Sequence, residues 1–276
     1  MDGLLATPDS EFLTARLMEM LTSGRTGAAR PMLAALRRLT PPSPRLAELG
    51  ALLALSEGRL GDALAELDVA IAEHPDHAGL RRCRADIRHR AGDISGASHD
   101  AAEAVILEPA NAPGKAILGV LMMELGRPAD AARCLSEARA SLPANAAICE
   151  ALAQAQAAAG DVEGAAATLA AGVVASPGAM SLRNASVLLA VRRREFAVAL
   201  ALAEEARRNG LVDACLFGLK GHALTSLGRH EEAADAYREA LKLGPEDPYV
   251  RHLVAASGGV AETDRAPADY LCAVFD

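Results

Sequence analysis

Alanine returns every 34 residues, at Ala29, Ala63, Ala97, Ala131, Ala165, Ala199 and Ala233, and this period constrains the chain more than any other feature. Two further columns keep the same step. Five residues before each alanine stands a glycine, at Gly24, Gly58, Gly92, Gly126, Gly160 and Gly228, with Arg194 as the exception. Twelve residues after it stands a proline, at Pro41, Pro75, Pro109, Pro143, Pro177 and Pro245, with Leu211 in the remaining place. A glycine can take the left-handed conformation that ends a helix, and a proline stops the next one, so each unit reads as helix, tight turn, helix, link. Small residues at Ala51, Ala85, Gly119, Ala153 and Gly221 mark where antiparallel helices cross closely. Larger ones at Leu33, Leu67, Leu135, Leu169 and Tyr237 fill the space between.

Composition agrees with an all-α fold. Apolar residues make up 51% of the chain and charged ones 23%, with no Trp, 3 Tyr and 4 Phe. A chain rich in alanine and poor in aromatics favours closely packed helices. A unit with a small residue at its eighth position, glycine at the fifteenth, alanine at the twentieth and twenty-seventh, an aromatic or leucine at the twenty-fourth and proline at the thirty-second resembles the tetratricopeptide repeat. The last full unit matches best, with Phe217, Gly221, Leu224, Gly228, Ala233, Tyr237, Ala240 and Pro245. The expectation is a right-handed α-solenoid of about seven such repeats. Its units run over 10–43, 44–77, 78–111, 112–145, 146–179, 180–213 and 214–247, after a lead of residues 1–9. The first and sixth units match least. A capping helix over 248–256 follows, then a linker and apolar tail over 257–276.

The resemblance implies that the first helices line a concave surface, each giving side chains from the second, fifth, ninth, twelfth and thirteenth positions. Here the first two units give an apolar strip of Met18, Leu21, Leu52 and Leu55. The third gives Arg82, Asp86, His89 and Arg90, the fourth Val120, Met123 and Glu124, and the fifth Glu150 and Gln154. Asn184, Leu188 and Arg192 follow from the sixth, with His222 and Ser226 from the seventh. No three successive repeats carry the lysine, asparagine and arginine set that clamps chaperone C-termini in this family. The sixth positions, among them Cys83 and Ile117, lack the asparagine ladder of members fused to sugar transferases.

Residues 81–90, RRCRADIRHR, place five arginines and a histidine on one first helix of a chain with net charge −8. Either these charges pair with carboxylates of neighbouring repeats, or Arg81, Arg84 and Arg88, at positions usually given to packing, mark a site for an acidic peptide or domain. His74 and His77 read as a polar link with no third metal ligand nearby. Arg192, Arg193 and Arg194 suit a helix C-terminus, and Met122 and Met123 read as packing. The acidic balance argues against nucleic acid or anionic membrane as a partner. Five dispersed cysteines suggest thiols in a reducing compartment, hence a cytoplasmic location. No phosphate-binding loop, nucleophile elbow, zinc motif or dinucleotide turn occurs, so neither cofactor nor catalysis is expected.

The leading expectation is a non-catalytic scaffold for a protein or peptide ligand. Two alternatives rest on the tail APADYLCAVFD. Pro267, Tyr270, Phe275 and Asp276 resemble the joint at which bacterial tetratricopeptide repeats lead into an S-adenosylmethionine-dependent methyltransferase, which would make the chain a recruiting domain. Exposed Tyr270, Leu271, Val274 and Phe275 would otherwise support self-association.

Overall fold

In the computed structural model, residues 8–23 and 25–244 are described, and they form fourteen helices with no strand among them. The expected cap over 248–256 and the tail over 257–276, with its joint and self-association surface, lie outside the described residues. The helices come in antiparallel pairs: α1 (Pro8–Thr22) with α2 (Thr26–Leu39), α3 (Pro44–Ser56) with α4 (Leu60–Glu73), α5 (Ala78–Arg90) with α6 (Ile94–Leu107), and α7 (Ala112–Glu124) with α8 (Pro128–Ser141). The next pairs are α9 (Ala146–Ala158) with α10 (Val162–Ala175), α11 (Met180–Arg192) with α12 (Phe196–Arg208), and α13 (Ala214–Ser226) with α14 (His230–Leu243). From α4 onward every helix starts 34 residues after its counterpart in the preceding pair. The architecture is an all-α helical repeat solenoid. It divides into two compact units, Met1–Ser141 and Leu142–Asp276.

From the second pair onward, each pair turns on one residue with positive φ. After α3, Gly58 takes φ +75°, and the amides of Gly58 and Arg59 donate back to the carbonyls of Leu55 and Ala54 at 3.0 and 2.8 Å. These bonds satisfy helix-end carbonyls that would otherwise lack donors. Where the sequence departs from the pattern, Arg194 adopts φ +60°, and the same bonds form, from the Arg194 amide to Val191 and from the Glu195 amide to Ala190. The missing proline at Leu211 is answered one residue earlier: Gly210, φ +75°, ends α12 with a similar turn, and the Leu211 amide donates to Ala206. The first helices are started by side-chain caps at Ser43, His77, Asn111, Asn145 and Asp213. Ala179, at the equivalent place before α11, offers none.

Within a pair the small residue of the first helix faces the large residue of the second. A Cβ on Gly119 would stand 2.5 Å from Cγ of Leu135, and one on Gly221 would stand 2.4 Å from Cε1 of Tyr237. The sixth pair reverses this pattern. Val187 is the bulky member and Ala203 the small one, both buried in one cluster. The core is therefore a series of small clusters handed from pair to pair. In the first unit one cluster runs from Leu17 to Leu53, the next from Ala51 to Ile87, and a third from Ala85 to Leu121. First helices also pack on one another, α3 against both α1 and α5, so that they share one face of the unit.

Arginine in the left-handed region carries a steric cost that glycine avoids. Arg194→Gly is expected to stabilise the chain by roughly 0.5–1 kcal/mol, read as a raised urea midpoint. An unchanged or lowered midpoint would contradict this account of the turn.

Candidate functional site

The first-helix face of the first unit carries a groove of about 410 Å³, built by α3, α5 and α7. Leu52, Cys83, Pro113 and Ile117 form its apolar part, and Glu48, Arg82, Asp86 and Asn111 its polar part. Three of the expected residues, Leu52, Arg82 and Asp86, are brought together here. The sequence reading missed Glu48, although it occupies the same fifth position in its unit as Arg82 does in the next. Cys83 and Ile117 occupy the sixth position of their units, which is not among the positions that the resemblance assigns to the concave surface. Burial first, then the carboxylates of Glu48 and Asp86, push the Cys83 thiol up to about 12. Cys83 therefore stays protonated and acts as a small apolar side chain.

The other expected residues of this unit lie outside the groove lining. Met18 and Leu55 are half buried and pack onto the core. His89 on α5 places Nε2 2.8 and 2.9 Å from the two carboxylate oxygens of Glu124 on α7. Arg90 donates to Asp86 at 3.1 Å. Val120 is exposed beside Met123, which is half buried.

The arginine cluster of α5 is engaged within the fold. Arg84 donates through Nε and Nη2 to both oxygens of Asp100 at 2.8 and 2.6 Å, and through Nη1 to Asp68 at 2.6 Å. Arg88 adds a third bond to Asp100 at 2.8 Å. Asp100 is fully buried. It stands beside Ala101, which occupies the position filled by a leucine or tyrosine in most other units, so an ionic cluster occupies the region of the missing apolar side chain. Arg81 donates to the Pro75 carbonyl, and Arg82 to Glu108. Hydrogen bonds from Asn111 and Arg82 hold the Glu108 carboxyl below its ordinary range. The cluster is therefore paired, chiefly with carboxylates of its own repeat at Asp86, Asp100 and Glu108, whereas the neighbouring repeats contribute Asp68 to Arg84 and Glu124 to His89.

In the second unit the expected residues lie on α9, α11 and α13. Glu150 is half buried and Gln154 exposed. Asn184 donates to Asp213 at 2.8 Å, while the other oxygen of Asp213 caps α13. Leu188 packs half buried on the cluster around Val187, and Arg192 and Ser226 are exposed. His222 is half buried with its ring edge-on to Phe196, 6.4 Å between centroids, and burial lowers its pKa from 6.5. His77 has a structural part instead: its Nδ1 accepts the Leu80 amide at 3.3 Å and starts α5.

A family model described as tetratricopeptide repeat matches residues 18–78, 118–179 and 184–248, more than half of the chain. The chain belongs to the tetratricopeptide repeat family. Solved tetratricopeptide structures have the same fold. A protein from Parabacteroides merdae aligns with TM-score 0.61 at 18% identity, covering 92% of this chain and 100% of that one. The C-terminal part of a repeat protein from Cytophaga hutchinsonii gives 0.67 at 12% identity, with 87% and 99% covered. YrrB, described as having an unusual peptide-binding site, gives 0.51 at 15% identity, with 67% and 96% covered. No functionally curated protein matches. No described helix is long and apolar enough to cross a membrane.

Two predictions separate structure from surface in these tetratricopeptide repeats. Asp100→Ala leaves two arginines without their buried partner and is expected to cost about 3 kcal/mol in urea unfolding. Asp86→Ala, which breaks an exposed pair, should cost less than about 0.5 kcal/mol. Equal costs would contradict the assignment. The folded pKa of His222 lies below its unfolded value of 6.5, so its contribution is complete above that pH and is lost as pH falls through the folded value. His222→Gln should therefore lose less stability than the parent between about pH 7.5 and 5.5.

Proposed function

We propose that this tetratricopeptide protein is a non-catalytic scaffold that holds an extended segment of a partner protein on its first-helix face. The observation that carries the proposal is the groove of α3, α5 and α7. There, Leu52 and Ile117 remain accessible on a face whose backbone is already satisfied within helices, next to exposed Val120. Apolar side chains on a rigid concavity with a few polar groups at its edge suit an extended peptide. The family is typically non-catalytic, and its fold supports interaction roles in general. The peptide-binding site named for YrrB, a structural neighbour, is consistent with this use.

Among the residues assigned here to partner contact, those of the first unit carry the proposal. The α5 arginines that would have favoured an acidic partner already have acceptors within the fold, so an acidic ligand is not what the geometry favours.

The test is a comparison of variants in affinity capture from lysate of the native organism, quantified by mass spectrometry. Leu52→Arg with Val120→Arg is expected to reduce the captured partner at least about tenfold. Val69→Arg with Ile106→Arg, on exposed second-helix positions, should leave capture unchanged. Thermal midpoints matched to the parent guard against misfolding. Retained capture by the first pair, or loss with the second, would overturn the proposal.

A further inference from the structure

The scaffold reading leaves the partner's chemistry open, and the charges around the groove narrow it. The two carboxylates on its lining are less exposed than the cations that pair with them. The Glu48 side chain is 14% exposed and its partner Arg45 51%; Asp86 is 44% exposed and its partner Arg90 59%. The arginines reach outward into water, where their charge is screened, while the carboxylates remain on the groove wall. Arg82, the cation among the lining residues, is drawn to Glu108 beside Asn111.

Both carboxylates keep acceptor capacity. Glu48 receives Arg45 on Oε2 at 3.0 Å, and its Oε1 stands 3.9 Å from His77 Nδ1, beyond hydrogen-bond reach. That nitrogen is already accepting the Leu80 amide, so its lone pair and not a proton is engaged there. Asp86 receives Arg90 on Oδ2, which leaves Oδ1 without a donor among the described residues. A carboxylate accepts up to about four hydrogen bonds, so each can take a further cationic donor without losing its present one.

The field at the groove floor follows the same sign. Apart from burial, the Cys83 thiol is held protonated by Glu48, Asp86 and Glu66, which outweigh the opposing influence of Arg45. The chain as a whole carries a net charge of −8, which favours encounter with basic segments.

We propose that the groove of α3, α5 and α7 binds a basic peptide segment, with an aliphatic side chain against Leu52, Cys83 and Ile117 and an adjacent lysine or arginine held by Glu48 and Asp86. This rests on the scaffold reading and adds the ligand class to it. Alternation of one apolar and one basic residue suits an extended strand, whose neighbouring side chains point to opposite sides and so reach floor and wall in turn.

A random library of short peptides displayed on phage, selected on the full chain, tests the proposal. Enriched sequences should carry lysine or arginine within two residues of Leu, Ile, Val or Met. A synthetic peptide of that kind, measured by fluorescence polarisation, should bind about tenfold more weakly to the Glu48→Gln, Asp86→Asn double variant, and its affinity for the parent should fall with added salt. Asp86→Asn alone, at a half-exposed position, gives the same direction of change where the double variant is unstable. Peptides that ignore charge or are acidic, or binding unchanged by both variants, would overturn the basic-ligand proposal. If such peptides still fail to bind Leu52→Arg, the scaffold reading survives. If no peptide is selected, both fall.

Discussion

The structure depends on how closely the two helices of each pair approach. At Gly119 and Gly221 a single added Cβ would collide with the leucine or tyrosine opposite, so the crossing distance is set by the absence of one atom group. That approach buries a large side chain against backbone and gives the pair its contact surface without a large central core. The positive-φ residue between the helices is the companion constraint, since it returns the chain in register for the crossing. Because each pair is incomplete alone, its remaining apolar surface passes to the next pair. The overlapping clusters of the first unit, which share the stretches around Leu53 and Ile87, are the physical form of that dependence.

The α5–α6 pair solves the same packing problem with charge. Ala101 removes the large apolar side chain, and Asp100, Arg84 and Arg88 assemble a buried ionic cluster beside it. A buried carboxylate is tolerable only with its acceptor sites met, and here two guanidinium groups supply three bonds and Arg84 extends to Asp68 on α4. The cluster links three helices, while the residues facing the groove remain a separate set. A run of arginines in the sequence thus has two destinations: some side chains enter the packing, while Arg82 lines the groove and Arg90 pairs with Asp86 at its edge.

The helical pairs were legible in the sequence because turn glycines, link prolines and close-packing alanines are each dictated by local geometry. The family resemblance followed from those same columns. Legibility ended where one residue took over another's part. Gly210 replaces the proline expected at Leu211, Arg194 occupies a glycine conformation, and Val187 with Ala203 exchanges the large and small partners. The groove was partly legible, since position alone pointed to Leu52, Arg82 and Asp86. Cys83 and Ile117 were hidden because their exposure depends on neighbouring helices. The pairing of Arg84 and Arg88 depends on Asp100, an acidic residue that stands beside the expected apolar position. No rule based on spacing names such a partner.

An interaction surface needs what this arrangement supplies: accessible apolar side chains on elements that do not have to reorganise when a ligand arrives. The measurement that tests this most directly is site-specific photo-crosslinking in the native cell, with a photoreactive phenylalanine analogue placed at Ile117 in the groove or at Ile106 on a second helix. The account predicts a crosslinked partner adduct from position 117 and none from position 106. Adducts from position 106 with none from position 117 would contradict it.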